Sequence, residues 1–278
     1  PQPATLADRP STHFPQHIPT QRNWHSLLRI LYLFALLNPS IGYVQGMNEA
    51  LFTLLYVFGS AQYPHRVDDA LTPSDSQQGI ASSSQRPDFR PWDNVADLAD
   101  LTHAEADAFW CFSALIGEMR ELYDFDRVEQ QSRGDVAPAD RHPSHAGMAG
   151  ALRRFSLRIK WLDPPLWRDL QVASLDPRLP YYSLRWLACL LSTEHSLPSV
   201  LRIWDALLAE QETAGISGSA KIEFLIDVCA SMILQIKDRL PNSKDDMDLA
   251  SEGFSRGMRV LQEYPDGDIS PVVEAATL

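Results

Sequence analysis

In segment after segment, apolar residues recur at i, i+3 and i+4 spacing while strand-like alternation is nearly absent, and this pattern confines the chain to an all-α fold. The first clear case begins at Trp24 and continues through Leu27, Leu28, Leu31, Phe34 and Ala35. Asn38-Pro39 ends it, because proline lacks the N–H and its ring clashes with the preceding turn. After the tight Ser40-Ile41-Gly42 turn, a second helix is predicted over residues 45–58. Thr102-His103-Ala104-Glu105 reads as a capping box, with Thr102 as N-cap and Glu105 reaching back, opening a helix to about residue 123. Further helices are predicted near residues 144–161, then to about residue 175 after the Pro164-Pro165 break, and over 181–193, 196–208, 221–240 and 251–264, with a terminal one from Ser270. The 181–193 segment carries apolar residues on nearly every face, as a central helix would.

The chain has 278 residues, 45% of them hydrophobic, enough for one large α-domain spanning 1–278. Between about residues 62 and 101 the period disappears among prolines, scattered aspartates and Ser82-Ser83-Ser84, which predicts a long loop insertion. Residues 126–143 are again polar and read as loose, and residues 215–218 as a loop. No internal repeat is visible, which disfavours a helical-repeat adaptor. A formal charge of −12 and a pI near 5.0 argue against nucleic acid and against adsorption on an anionic membrane. Cys111, Cys189 and Cys229 sit inside apolar helical patterns and read as reduced, buried thiols of a cytosolic protein. The longest apolar windows, residues 27–37 and 225–236, are interrupted by Arg29 and Asp227 and are too short to span a bilayer. A start at Pro1-Gln2-Pro3-Ala4, without Met, is what an N-terminally incomplete chain would show.

The most informative motif is Gly42-Tyr43-Val44-Gln45-Gly46-Met47-Asn48-Glu49. A glutamine amide has two donors and an acceptor, so Gln45, held rigidly at a helix mouth, can orient a water against another group. The bland alternative is a glutamine that caps a helix. The unpaired amides of such a helix start also favour negative charge, as a phosphate supplies. Three further stretches follow: Tyr181-Tyr182-Ser183-Leu184-Arg185-Trp186-Leu187, Leu191-Ser192-Thr193-Glu194 and Leu201-Arg202-Ile203-Trp204-Asp205. Together, in this order, they resemble the TBC domain, the all-helical module of GTPase-activating proteins for Rab GTPases, from about Trp24 onward. The resemblance implies a glutamine finger at Gln45, with Tyr43 and Asn48 holding the turn between Gly42 and Gly46. It also implies a partner, a Rab-family GTPase in its GTP-bound form, and no cofactor of the chain's own, since GTP and Mg would belong to that partner.

The family further implies an arginine finger in an Ile-x-x-Asp-x-x-Arg motif. Laying that pattern on Asp8-Arg9-Pro10-Ser11-Thr12-His13-Phe14-Pro15 puts Ser11 at the finger position, Thr5 where isoleucine is expected, and Arg9 two residues away. The finger is then either lost, replaced by a displaced Arg9, or upstream of Pro1. Arg185, Trp186, Glu194, Trp204 and Asp205 read as structural, with Glu194 or Asp205 partnering a buried Arg185. His103 with Asp107, and His142 with His145, have loose metal-ligand spacing, but a lone pair is a weak signal and no metal is assigned. Cys189 near His195 lacks the context of a nucleophile. The expectation is a Rab GTPase-activating protein of membrane trafficking, cytoplasmic and peripheral to organelle membranes through its partner. The rival expectation is a TBC-like scaffold that binds GTPases or other proteins without accelerating hydrolysis.

Overall fold

A computed structural model describes residues 21–61, 102–123, 147–211, 219–242, 252–265 and 267–277. Every regular element among them is helical, as the apolar period predicts. The elements are α1 (Gln21–Leu37), α2 (Met47–Ala61), α3 (Thr102–Glu118), α4 (Arg120–Tyr123), α5 (Gly147–Leu162), α6 (Pro164–Val172), α7 (Ser183–Ala188), α8 (Leu197–Ala209), α9 (Ala220–Gln235), a 3₁₀ turn at Lys237–Arg239, α10 (Glu252–Gln262) and α11 (Ser270–Ala276). The predicted insertion at 62–101, the 126–143 stretch, the 215–218 loop and the Asp8–Pro15 overlay lie outside the described residues.

One continuous core runs through these helices. At one end α1, α2 and α3 pack together, with Phe34 edge-on to Phe112 at 5.0 Å between ring centroids. At the other, α9 lies against both α5 and α11, and Trp186 of α7 is fully enclosed among Phe155, Tyr182 and Tyr264. The α5–α6 break forms as the prolines dictate. Asp163 caps α6 by accepting from the Leu166 N–H at 3.0 Å, and Pro164-Pro165 occupy the first turn, where no N–H is needed.

The Glu105 carboxylate accepts from Ser26 Oγ at 2.6 Å and Arg29 Nε at 3.1 Å, tying α3 to α1. Three expectations are corrected. The helix predicted over 221–240 stops at Gln235 and tightens into the 3₁₀ turn. Arg185 is not buried: its side chain is 39% exposed, whereas its partner Glu194 is 2% exposed, so the carboxylate is the group that needs the pair.

The third correction concerns the central 181–193 helix, which shrinks to the six residues of α7. It ends because Leu190 (φ 49°) and Leu191 (φ 62°) turn left-handed, with the Leu191 N–H donating back to the Trp186 carbonyl at 2.9 Å. Such a conformation costs a non-glycine residue roughly 1–3 kcal/mol and persists only where packing over-determines it. Both leucine side chains are fully buried. The carbonyls that the turn frees are also satisfied: Ala188 O accepts from Tyr123 Oη and Leu190 O from Trp204 Nε1, each at 2.9 Å.

Candidate functional site

The turn from α1 to α2 is built in two steps. Asn38 closes α1, its side-chain amide donating to the Phe34 carbonyl at 2.9 Å while its own carbonyl accepts from the N–H groups of Ile41 (3.0 Å) and Gly42 (2.9 Å). Gly42, at φ 65°, takes the left-handed step that lets the chain leave this turn. From α4, Arg120 donates to Ser40 Oγ at 2.9 Å and pins the turn from outside.

The second step centres on Asn48. Its side-chain oxygen accepts from Tyr43 Oη at 3.1 Å and from the Gly46 N–H at 3.3 Å, while its amide nitrogen donates to Glu49 Oε1 at 2.9 Å. The half-exposed Tyr43 phenol is pushed above its ordinary pKa, first by partial burial and then by the nearby Glu49 and Cys189, so it stays a donor at neutral pH. Met47 and Glu49 N–H groups donate to the Val44 and Gly46 carbonyls at 3.1 Å each. Of the amides at the start of α2 that the sequence offered to negative charge, those of Gly46, Met47 and Glu49 are spent inside the turn. Gln45 differs: it is exposed, and its amide makes no hydrogen bond among the described residues. It caps nothing there and points its three hydrogen-bonding capacities outward.

Gly46 joins this turn to the left-handed turn that follows α7. At φ 107° it lies so close to Ala188 that a Cβ built on it would fall 2.8 Å from the Ala188 carbonyl oxygen and 3.0 Å from its carbon. Ala188 is in turn anchored by Tyr123, and the next carbonyl but one by Trp204. The order of support is therefore Trp204 and Tyr123, then the 188–191 turn, then Gly46, then Gln45.

The structure brings together Gly42, Tyr43, Gln45, Gly46 and Asn48 as one loop, and places the other expected residues behind or away from it. Arg185 pairs with Glu194 through two hydrogen bonds, at 2.7 and 2.9 Å, and donates a third to the Gln262 carbonyl at 3.2 Å, linking α7 to α10. Trp186 is core, Trp204 is 3% exposed, and Asp205 is exposed on α8, apart from the Arg185 pair. Arg9 and Ser11 lie outside the described residues. Among the described residues no three His, Cys, Asp or Glu side chains cluster as a metal site. Cys189 is buried beside the loop, and burial, with Glu49 and Glu194, pushes its thiol up to about 11, which disfavours the reactive thiolate. Sequence reasoning missed Ala188, Tyr123 and Arg120, none of which carries a local signal, and placed Ser40 in the turn without a partner. It quoted Glu49 in the motif without giving it a role.

The family model described as the Rab-GTPase-TBC domain matches residues 8–241. The chain belongs to that family. The TBC chain is 30% identical over 256 residues to TBC1 domain family member 13 of Mus musculus, covering 92% of this chain and 47% of the relative. It is 30% identical over 231 residues to the GTPase-activating protein gyp1 of Schizosaccharomyces pombe, covering 83% of this chain and 35% of that protein. The TBC chain thus spans half or less of the length of these curated relatives. Among solved structures it superposes on the Ypt/Rab-GAP domain of Gyp1p with a TM-score of 0.62 and 24% identity, covering 95% of this chain and 68% of the other, which shows the shared all-helical fold. No described helix is long and apolar enough to cross a membrane.

Proposed function

We propose that this TBC domain is a GTPase-activating protein for a Rab-family GTPase, inserting Gln45 into the nucleotide site of the GTP-bound partner to position the attacking water. The observation that carries the reading is the solvent-facing Gln45 amide, free of hydrogen bonds among the described residues, on a loop locked by Tyr43, Asn48 and the Gly46–Ala188 contact. Family membership and the gyp1 relative, named as a GTPase-activating protein, support it.

In phosphoryl transfer the activator's work is placement and electrostatics rather than covalent chemistry. The Gln45 carbonyl accepts a hydrogen bond from the water while the amide group donates toward the phosphoryl oxygens, so one planar group fixes the water's angle of approach. Tyr43 and Asn48 act as positioning residues, because their hydrogen bonds hold the backbone on both sides of Gln45. The activator brings no cofactor of its own to this reaction; GTP and Mg come with the GTPase, which also draws the domain toward its membrane.

A second reading is a TBC scaffold that binds GTP-loaded Rab but accelerates hydrolysis weakly. What favours it is Ser11, which the family pattern puts where an arginine belongs, in a matched segment that begins at Asp8. An arginine finger is worth about 10³–10⁵ in rate, and a serine cannot neutralise phosphoryl charge. A panel of purified GTP-loaded Rabs assayed with this chain and its Ser11→Arg variant separates the two. Strong stimulation by the parent chain supports the activator. Stimulation that emerges by orders of magnitude only on Ser11→Arg supports a weak domain with an intact glutamine. Binding without hydrolysis by either protein supports the scaffold.

A further inference from the structure

The distribution of charge along α5 and α6 runs against that of the whole chain. The chain carries 36 acidic and 24 basic residues, yet from 147 to 172 no exposed residue is acidic; the exposed ones include Leu157, Lys160, Trp161, Arg168 and Val172. The two acids of this stretch are half-buried, and one of them, Asp163, caps α6 and pairs with Lys237 at 3.8 Å. Arg154 and Arg158 are neutralised at the side of α5, by Glu121, Glu223 and Asp227.

That leaves Arg153, Leu157, Lys160 and Trp161, which at i, i+4, i+7 and i+8 share one outward face of α5. Lys160 Nζ stands 4.6 Å over the Trp167 ring and ties this face to α6, where Arg168 and Val172 point outward at i and i+4. Arg153, Lys160 and Arg168 make no ion pair among the described residues. Between them Trp161 is 78% exposed, Val172 54% and Leu157 47%. The outward face of α1 is also apolar, with Trp24, Leu28, Tyr32 and Leu36, but the cation beside it, Arg29, is already bound by Glu105.

We propose that the α5–α6 face docks on an anionic lipid surface. Unpaired cations alternating with an exposed indole and aliphatic side chains form the pattern of an interfacial helix. The indole settles at headgroup depth, and long cationic side chains reach the phosphates. No shape-matched pocket is needed on the lipid side. The net charge of −12 does not oppose this docking, because charges more than about 8 Å from the surface are largely screened at physiological salt. Local unpaired charge decides adsorption. The face would set the domain against a bilayer directly, independently of the Gln45 reading.

The test is co-sedimentation of the full chain with vesicles of pure phosphatidylcholine and with vesicles containing about a third phosphatidylserine, the anionic lipid of cytoplasmic leaflets. Binding should appear only with the anionic vesicles and weaken with salt. Each cation near the surface contributes about fivefold in partitioning, so Lys160→Ala/Arg168→Ala should lower it roughly 30-fold. Trp161→Ser should lower it too and remove a lipid-induced blue shift of tryptophan fluorescence, while Arg202→Ala on α8 should match the parent. All these side chains are exposed, so unchanged melting temperatures confirm that folding is not the cause. No binding to anionic vesicles, or binding that the α5–α6 variants leave intact, overturns the proposal. Retention on polyglutamate without vesicle binding, lost in Lys160→Ala/Arg168→Ala, would also overturn it and assign the face to an acidic protein.

Discussion

Replacing Gly46 by alanine probes the linkage between the loop and its support most sharply. Two costs add. The φ of 107° is a conformation that an L side chain rarely adopts, worth roughly 1–3 kcal/mol of strain. The new methyl would also sit 2.8 Å from the Ala188 oxygen, whose position Tyr123 fixes, so loop and turn must part by several tenths of an ångström at a further cost of about 1–3 kcal/mol. A total near 3 kcal/mol corresponds to a drop of roughly 6–12 °C in melting temperature. Gly42→Ala is the internal comparison. Its φ is 65° but nothing lies within 4 Å of the new Cβ, so strain alone remains, roughly 1–2 kcal/mol. The assay is thermal melting beside single-turnover GTP hydrolysis, measured well below both transitions. Because a shift of about 1 Å in a positioning group costs on the order of 10² in rate, Gly46→Ala should lose at least tenfold in activation even while folded, and Gly42→Ala much less. Equal melting temperatures and equal activation for the two variants would refute the argument that Gly46 seats Gln45 on the 188–191 turn.

Three further predictions concern that support. Trp204→Ala should cost about 3–5 kcal/mol, and Trp204→Phe about 1–3 kcal/mol because it keeps most of the packing and strands the Leu190 carbonyl; chemical denaturation measures both, and a phenylalanine variant as stable as the parent would show that the Nε1 bond contributes nothing. Arg185→Ala, which leaves a 2%-exposed carboxylate with fewer partners, should destabilise by roughly 3–5 kcal/mol, more than Glu194→Gln, which leaves a half-exposed arginine to water; the reverse order in urea melts would contradict the assignment of Glu194 as the buried member. The Cys189 thiol is held at about 11 against an ordinary 9, so its contribution is complete below pH 9 and is lost as the pH rises through 9 to 11, where the unfolded chain gives up the proton first. That loss amounts to roughly 2–3 kcal/mol, and Cys189→Ala should flatten the alkaline fall in stability by that amount; an unchanged slope would discount the burial of the thiol.

The helices were legible because their period is a local property. Asn38-Pro39 and Gly42 located the turn, since each acts on the backbone through its own covalent structure, and the octapeptide exposed Gln45 as a polar group that no core requires. What the sequence hid was set by distant partners. Leu190 and Leu191 look helical, and only Tyr123 and Trp204, 65 and 14 residues away from the carbonyls they satisfy, make the left-handed turn tenable. The capping signature of Glu105 gave no hint that its carboxylate would also accept from Ser26 and Arg29 on another helix. A buried Arg185 paired with Glu194 or Asp205 was expected, but which carboxylate pairs and which member lies inside depend on how α7 meets its neighbours. The net charge is silent on how charge is distributed for the same reason, because it averages over faces that the fold separates.

The central claim is that Gln45 acts on the partner's nucleotide while contributing little to its own fold. The direct measurement is single-turnover hydrolysis of GTP-loaded Rab, using the Rab that responds best to the parent chain, with Gln45→Ala compared for rate, Rab affinity and melting temperature. The account predicts a rate reduced by tenfold or more, about 1.4 kcal/mol of barrier, with melting temperature unchanged and affinity close to that of the parent. A variant that activates hydrolysis as fast as the parent chain would contradict it.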